Sequence, residues 1–390
     1  MPERGRLSFR AARVEGIACR HPLAVPVSTS FGIMRDRPAV FVRIEDGEGG
    51  FGWGEAFANW PAAGAEHRVN LLIDDVAPLL LGRVWDDPAT MSATLASRTR
   101  IRALQCGEPG PFAQVIAALD IAAWDLVARR AGVPLVRLLA RDDGEGAVRP
   151  VPAYASGIHV DAARDVVPAA RARGFRAFKV KVGFDAAADP DKVVALANEL
   201  SDGERLFADA NQAWDVSGAE DFLERSRAAK LGWMEEPIAA DAPDADWVRL
   251  ARLGVPLAGG ENLAGARTFE GALRLGALQV VQPDVIKWGG VSGCLAVARR
   301  VRERGRRYCP HYLGAGIGLA ASAHVLAAAG GDGLLELDVN PNPLREAFEE
   351  AGKGLSGGAW RLGDEPGLGI EALPDALEDT VTIRRRTQGP

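Results

Sequence analysis

The stretch AFKVKVG, residues 177–183, reads as a buried strand that nevertheless carries two lysines. Side chains two residues apart on a strand point to the same face, so Lys179 and Lys181 emerge together. From Pro150 onward the same unit recurs, as a short apolar run followed by a loop and a helix of about 12 to 15 residues. Near-continuous apolar strands in repeated strand and helix units predict a parallel α/β sheet.

Eight such strands can be read from the sequence, and this number favours a closed barrel. The strands are PVPAYAS, AFKVKVG, RLFADAN, GWMEEP, VPLAGGE, LQVVQPD, RYCPH and LLELDV. Helices between them are predicted from DPDKVVALANEL, GAEDFLERSRAAK, ADWVRLARLG, ARTFEGALRLG and GCLAVARRVRERG. An open doubly wound sheet is the structural alternative, but no GxGxxG follows a strand to support it.

An ionisable side chain recurs near the carboxyl end of strand after strand. Starting from Lys181, at intervals of 23 to 28 residues, the series is Asp209, Glu235, Glu261, Asp284, His311 and Glu336. Each interval is about one βα unit, and barrel enzymes keep their active sites at the carboxyl ends of the strands. The series therefore predicts one site at that end of the barrel.

Three successive members of this series are carboxylates. Asp209, Glu235 and Glu261 would converge, and crowded like charges are neutralised by protonation, by cations or by a metal. All-oxygen ligation with open positions for water or substrate suits Mg²⁺. A single acid at a strand end is usually a helix cap or an ion-pair partner, so the regularity of the series carries the prediction. Glu236 has the opposite strand parity and is interpreted as a structural acid.

Two basic side chains flank the predicted metal site. A second ammonium and a metal cation nearby would both lower the pKa of Lys181, which would let it act as a base near neutral pH. We therefore expect Lys179 to make its neighbour basic. On the other flank, Asp284 ends the strand before the one that carries His311. Its carboxylate could hold the tautomer of the imidazole and raise its basicity.

Three further assignments concern contacts with a substrate. Glu336 would hydrogen-bond a developing oxyanion if it is protonated, or it would orient a lysine. Asn211 has the same strand parity as Asp209, although an ordinary loop hydrogen bond explains it almost as well. His21 lies in a predicted loop over the site and is a further candidate.

The amino-terminal part of the chain has a different pattern. Residues 8 to 58 alternate apolar and polar side chains, and DGEGG marks a hairpin turn between two antiparallel strands. Helical periodicity follows in EHRVNLLIDDVAPLL and FAQVIAALDIAAWDLVARRAG. We predict an α+β domain over residues 1–140, a barrel domain over residues 141–355, and a segment over residues 356–390 that returns to the first domain.

Composition argues against several classes of partner. The 390-residue chain has a net charge of -6 and a sequence pI near 5.6, so nothing attracts it to nucleic acid or to an anionic membrane surface. No stretch is expected to provide the roughly 20 apolar residues that a membrane span needs. The four cysteines form no CxxC pair, which is typical of reduced thiols in a cytoplasmic protein.

The motifs KVKVG, DANQAW, WMEEP, GGEN, QPDVIKWGGVSG and CPH occur in an order and spacing that resembles the mandelate racemase subgroup of the enolase superfamily. The resemblance covers essentially the whole chain. It implies a modified TIM barrel, (β/α)7β, with an α+β capping domain that the carboxyl-terminal segment completes. A muconate-lactonising relative would carry a lysine on strand six, where this chain has the Asp284 and His311 pair on strands six and seven.

By position, the resemblance also implies roles for individual residues. The implied ligands of Mg²⁺ are Asp209, Glu235 and Glu261. Lys181 and His311 would be the bases on opposite faces of the substrate, with His311 supported by Asp284. Lys179 would help to neutralise the carboxylate of the substrate, and Glu336 would contact the enediolate.

The implied chemistry is abstraction of the α-proton from a small carboxylate substrate, since Mg²⁺ stabilises the charge that appears on the carboxylate oxygens. Dehydration of a hydroxy acid or acid sugar is the favoured outcome, which would make the protein a lyase. Racemisation or epimerisation is the close alternative, and cycloisomerisation of a sugar lactone is a third. A non-catalytic metal-binding barrel is the alternative of another class, and it would need neither Lys181 nor His311.

Specificity is expected from two loops of the capping domain, HPLAVPVSTSFGIMRDR and GEAFANWPAAGAEH. Arg35, Arg37 and Trp60 in these loops could contact a polar substrate, but their presence does not indicate which acid or lactone the substrate is. The resemblance further implies a homo-oligomer, often an octamer.

Overall fold

Three amino-terminal strands form an antiparallel sheet in the computed structural model, which describes residues 7–29, 32–140, 149–349 and 354–389. The strands are β1 (Phe9–Thr29), β2 (Gly32–Asp46) and β3 (Phe51–Ala56). The predicted DGEGG turn joins β2 to β3, and within it Asp46 accepts hydrogen bonds from the backbone amides of Glu48 and Gly50.

Helices cover one face of this sheet. In chain order, the elements after β3 are α1 (Gly64–Leu71), a π-helical turn (Leu72–Val76), α2 (Ala77–Leu80), β4 (Val84–Trp85), α3 (Pro88–Gln105), α4 (Pro109–Arg130) and α5 (Leu135–Leu139). Helix α4 packs closely on β3 because Gly54 has no side chain. A Cβ atom there would lie well inside the van der Waals distance of the carbonyl oxygen of Ala118.

Helix α4 also corrects one expectation from the sequence. By length and composition alone it could cross a membrane, whereas no such stretch was expected. However, 83% of its apolar window is buried inside the protein, so α4 is a core helix of the capping domain.

Eight parallel strands form the barrel part of the second sheet, as predicted. They are β5 (Val151–His159), β6 (Ala177–Lys181), β7 (Arg205–Asp209), β8 (Met234–Glu235), β9 (Leu257–Gly259), β10 (Leu278–Val281), β11 (Arg307–Tyr308) and β12 (Leu335–Asp338). Neighbours pair in chain order from β5 to β11, and β12 pairs with β5. Because the last strand pairs with the first, the sheet curls into a barrel, and the doubly wound alternative is wrong.

The barrel strands alternate with helices. These are α6 (Ala163–Ala172), α7 (Asp189–Asn198), α8 (Val216–Arg225), α9 (Asp244–Ala251), α10 (Ala266–Leu275), α11 (Gly290–Glu303) and α12 (Gly316–Ala329), followed by α13 (Pro343–Glu346). The five predicted helices correspond to α7 to α11. Helix α8 begins where its sequence indicates, since the side chain of Asp215 accepts a hydrogen bond from the backbone amide of Gly218.

The carboxyl-terminal segment contacts both sheets. A hairpin of β13 (Gly354–Ser356) and β14 (Ala359–Arg361) pairs with β5 at the edge of the barrel sheet. Strand β15 (Val381–Gln388) then pairs antiparallel with β1. The predicted division of the chain at residues 140 and 355 stays a prediction.

An apolar layer fills the inside of the barrel. Tyr154, Phe207 and Trp233 form its aromatic part, with the rings of Phe207 and Trp233 stacked. Cys309 also packs in this layer, which agrees with its interpretation as barrel filling. Side chains two residues further along β7 and β8 point to the same side, and they include Asp209. The apolar layer therefore lies directly beneath the ionisable side chains and forms the floor of the site.

Candidate active site

Two of the predicted metal ligands meet above this floor. Asp209 and Glu235 are paired in register on β7 and β8, and both are buried. Burial, together with the charge of Asp209, raises the pKa of Glu235 to about 8. Negative charge at this point is therefore costly without a cation close by.

Lys179 supplies part of that positive charge. Its side chain is 0% exposed, and Nζ lies 2.6 Å from Glu235 Oε1 and 2.7 Å from Glu336 Oε1, with Asp209 Oδ2 at 3.4 Å. Burial lowers the pKa of Lys179, but the surrounding carboxylates outweigh it and hold the pKa well above its usual value. Lys179 is a fixed ammonium among three acids.

Lys181 does not have the lowered pKa that its neighbour was expected to cause. Its Nζ lies 2.5 Å from Asp209 Oδ2. Burial and the charge of Lys179 both lower the pKa of Lys181, but the attraction of Asp209 exceeds them and the pKa is raised. In this arrangement of charges Lys179 alone does not lower the pKa of Lys181; the expected lowering also includes a metal cation at the site, and the role of Lys181 as a base stays a prediction.

His311 lies between two carboxylates at the end of β11. Its Nδ1 is 2.7 Å from Asp284 Oδ2, and its Nε2 is 2.5 Å from Glu261 Oε2. Asp284 is itself oriented, because its Oδ1 accepts a hydrogen bond of 2.8 Å from the backbone amide of Ile286. Burial lowers the pKa of His311, but Glu261 and the other acids raise it well above the usual value.

Glu336 joins the lysine side of the site to the histidine side. It accepts hydrogen bonds from Ser156 Oγ at 2.5 Å and from the backbone amide of Tyr312 at 3.1 Å, in addition to its contact with Lys179. It stands on β12, which pairs in parallel with β5, the strand that carries Ser156.

Each predicted metal ligand contacts a basic group. Lys181 pairs with Asp209, Lys179 with Glu235, and His311 with Glu261. Within residues 7–29, 32–140, 149–349 and 354–389, no three acidic, histidine or cysteine side chains are arranged so that they could together hold a metal ion. The donor set nevertheless fits Mg²⁺, because it offers three carboxylates and only oxygen atoms at the ends of adjacent strands.

A cavity of about 1100 Å³ opens above these residues. Barrel residues that line it include Lys181, Asn211, Glu261, His311 and Glu336. The two predicted capping loops contribute the other side, including Leu23 to Val27, Met34, Arg37, Phe57, Asn59, Trp60 and Pro61. The cavity thus connects the ionisable cluster with the capping domain.

Some predicted contacts do not reach this cavity. His21 lies in β1 and not in a loop, and its Nδ1 is 2.8 Å from the carbonyl oxygen of Pro22. It is not among the described residues that line the cavity. Arg35 is exposed and also does not line it. Arg37 lines the cavity, but it is buried in an ion pair of 2.7 Å with Asp338.

The structure also brings residues to the site that the sequence interpretation missed. Lys287 lines the cavity, donates a hydrogen bond to Asn262 Oδ1, and lies 5.0 Å from the centre of the Phe57 ring. Gln282 donates a hydrogen bond of 2.6 Å to Glu235. A signal existed for Gln282, since it shares strand parity with Asp284, whereas Lys287 follows in a turn and has no periodic signal.

Glu236 is not among the described residues that line this cavity. It accepts hydrogen bonds from the amide groups of Gln212 and Asn262, and it is nearly fully buried. Burial and the nearby acids raise its pKa to about 8. These contacts fit the interpretation of Glu236 as a structural acid.

Known proteins resemble both parts of this chain. Residues 161–376 match the family described as enolase C-terminal domain-like, and residues 12–140 match the mandelate racemase / muconate lactonizing enzyme N-terminal domain. D-galactarolactone cycloisomerase of Agrobacterium fabrum is 30% identical, over 92% of this chain and 95% of that protein. Other relatives are enzymes named as sugar-acid dehydratases, racemases or epimerases.

Solved structures resemble the whole chain. A mandelate racemase/muconate lactonizing enzyme from Bordetella bronchiseptica is 49% identical with a TM-score of 0.88, covering 96% of this chain and 99% of that one. An L-talarate dehydratase from Polaromonas, complexed with Mg and L-glucarate, is 26% identical with a TM-score of 0.80, covering 98% and 99%.

Proposed function

We propose that this chain, which belongs to the mandelate racemase and muconate lactonizing enzyme family of the enolase superfamily, uses Mg²⁺ to remove the α-proton of a small carboxylate substrate. The favoured outcome is dehydration of a hydroxy acid or acid sugar through an enediolate. The observation that carries this proposal is that Lys181 and His311, which pairs with Asp284, line the same cavity. A barrel that only bound a metal would need neither base.

The metal would be held by the three carboxylates at the ends of β7, β8 and β9. These are Asp209, Glu235 and Glu261. When bound there, Mg²⁺ would supply Lewis acidity that stabilises the negative charge developing on the carboxylate oxygens of the substrate. The basic groups that now neutralise these acids would then be available to the substrate.

Lys181 and His311 are the proposed bases. Asp209 raises the pKa of Lys181 and so favours the ammonium form; release of their 2.5 Å contact would lower that pKa, and Lys181 could then lose a proton to solvent and accept the α-proton as a neutral amine. On the other flank, Asp284 fixes Nδ1 of His311 as the donor nitrogen, which leaves Nε2 to exchange a proton with the substrate once Glu261 has moved.

Dehydration then needs two proton transfers: one proton is removed from the α-carbon, and one is added to the hydroxyl group on the β-carbon. Lys181 or His311 takes the α-proton, and the electron pair of that C–H bond moves into the enediolate. The bond from the β-carbon to its hydroxyl breaks as the other base gives that oxygen a proton, so one water leaves and the enol product becomes a 2-keto acid. Lys179 would donate a hydrogen bond to the carboxylate of the substrate, and Glu336 would lie against the enediolate.

Cycloisomerisation of a sugar lactone is the second candidate, favoured by the 30% identical D-galactarolactone cycloisomerase. It uses the same proton abstraction next to a carboxyl group, with the lactone oxygen as the leaving group. Reprotonation from the opposite face would give epimerisation. The three outcomes differ in product: a 2-keto acid formed with loss of water, a ring-opened 2-keto acid that keeps the mass of the lactone, or an epimer that keeps the mass of its substrate.

The test is proton exchange in deuterated water with Mg²⁺ across a panel of hydroxy acids, acid sugars and sugar lactones. We expect deuterium at the α-carbon and 2-keto acid from at least one compound. Lys181→Ala and His311→Asn should abolish turnover, and Lys192→Ala, which removes a surface lysine, should not. The absence of exchange and of product across the panel would favour the non-catalytic barrel.

The proposal extends to the state of the protein in the cell. The cysteines Cys19, Cys106, Cys294 and Cys309 are free, and this fits a cytoplasmic location. No nucleic acid or membrane partner is proposed. A homo-oligomer, up to an octamer, is expected from the family, and a sizing column measures it.

A further inference from the structure

We propose that Glu55 of the capping domain is a positioning residue for His311. It would act through residues 312–318, called the strand-seven loop, which follow His311 directly in the chain and include the first three residues of α12. The inference rests on the proposed function, because it assigns His311 as one of the two bases. It adds that the capping domain determines the geometry of one base and not of the other.

The contacts of Glu55 converge on this loop. Glu55 stands on β3 and is 1% exposed. Its Oε1 accepts a hydrogen bond of 2.6 Å from the backbone amide of Ala315, and its Oε2 accepts one of 2.8 Å from that of Gly318. The loop encloses the carboxylate, since a Cβ atom on Gly314 would lie 2.5 Å from Glu55 Oε1.

Tyr312 connects this carboxylate to the base. It is the residue after His311, its backbone amide donates to Glu336, and its hydroxyl oxygen lies 3.1 Å from Glu55 Oε1. The neighbour of the base is thus held at its backbone by the barrel and at its ring by the capping domain. A shift of the loop would pull on the 2.7 Å contact between His311 and Asp284.

The chemistry of Glu55 argues against a packing role. Among the described residues no basic side chain pairs with it, and its partners are all in the strand-seven loop. A buried carboxyl group without a cation costs free energy, and an apolar side chain would fill the same space at lower cost. What the carboxyl group supplies is two oriented acceptors for the turn that leads into α12.

The test compares the two faces of the substrate. D-galactonate and D-talonate each have a single α-carbon, and its configuration is opposite in the two acids, so their exchange in deuterated water reports on the two bases separately. Lys181→Ala and His311→Asn first establish which acid depends on which base. We expect Glu55→Gln, which turns an N–H group toward a backbone donor, to follow the pattern of His311→Asn. Exchange of that acid should fall about tenfold to a hundredfold, and exchange of the other by less than about twofold.

The matched control is Asp125→Asn. Asp125 is an equally buried acid of the capping domain, but it accepts hydrogen bonds from the backbone of Trp53 and Leu368 and pairs with Arg129, away from the loop. This variant should leave the ratio of the two exchange rates unchanged. Equal loss of both rates in Glu55→Gln, or a changed ratio in Asp125→Asn, would overturn the inference.

Two further measurements test the inference if Glu55→Gln does not fold or if the unaltered protein exchanges neither acid. If Glu55→Gln does not fold, Tyr312→Phe replaces it, with the same selectivity and a loss of about threefold to tenfold. If the unaltered protein exchanges neither acid, the proposed function fails for sugar acids. A crystal structure of Glu55→Gln, or of Tyr312→Phe in its place, then decides: an unmoved strand-seven loop and an unchanged contact between His311 and Asp284 would contradict the positioning role.

Discussion

Replacing Lys179 by methionine should destabilise the protein far more than its single charge would suggest. The ammonium is 0% exposed and lies within 3.4 Å of three carboxylates, two of them at 2.6 and 2.7 Å. Methionine keeps the volume of the aliphatic stem, so the loss reports the charge and not a cavity. Removing one partner of a buried ion pair costs about 3 to 5 kcal/mol, and we expect Lys179→Met to lower the free energy of unfolding by that amount.

The assay is urea unfolding followed by the fluorescence of the nine tryptophans. The matched control is Lys192→Met, because the Lys192 side chain is 34% exposed and pairs with Asp161 at the surface. A surface pair is worth about 0 to 1 kcal/mol. Mg²⁺ should stabilise Lys179→Met more than the unaltered protein, since it would neutralise the same carboxylates. Similar small losses in both variants would refute the reasoning.

Three other outcomes are expected. The Asp120 carboxyl group has its pKa raised by burial to about 8, so between about pH 4 and 8 the folded state holds more protons than the unfolded state and stability falls as pH rises. Asp120→Asn should make the decrease of the free energy of unfolding with pH shallower by up to about 1.4 kcal/mol per pH unit. Denaturant unfolding at several pH values measures this, and the same slope in both proteins would contradict it. Gly54→Ala should destabilise by about 1 to 3 kcal/mol, because its Cβ would collide with α4, while Gly271→Ala, with open space around it, should be neutral or stabilising in thermal melts. Lys287→Met should raise KM more than it lowers kcat in steady-state kinetics, since its ammonium lines the cavity outside the ionisable cluster; an equal effect on both constants would argue for a different role.

Much of the barrel could be predicted because its signals are local. Apolar runs and helical periodicity identify each strand and helix from a few neighbouring residues, and all eight barrel strands were found in this way. Strand parity places Lys179 and Lys181 on one face, and intervals of one βα unit place the following acids at one end of the barrel. Those rules need no knowledge of distant contacts.

The tertiary structure alone decided which charges touch. Lys181 was expected to have a lowered pKa beside Lys179 and a metal cation, but in the structure Asp209 on the adjacent strand lies 2.5 Å from its Nζ and raises the pKa. His21 was expected in a loop over the site, yet the extension of β1 carries it elsewhere. Glu55 reaches Tyr312, a residue 257 positions away, and no period in the sequence relates the two.

The sequence by itself thus determined the strands, their order and the end of the barrel at which the ionisable residues gather, because each of these follows from spacing along the chain. Only the tertiary structure decided which acid pairs with which base, and which hydrogen bonds the capping domain makes with the loop after His311. Electrostatic energies and hydrogen bonds depend on distances of a few ångströms between residues that are far apart in sequence, and spacing along the chain does not encode such distances.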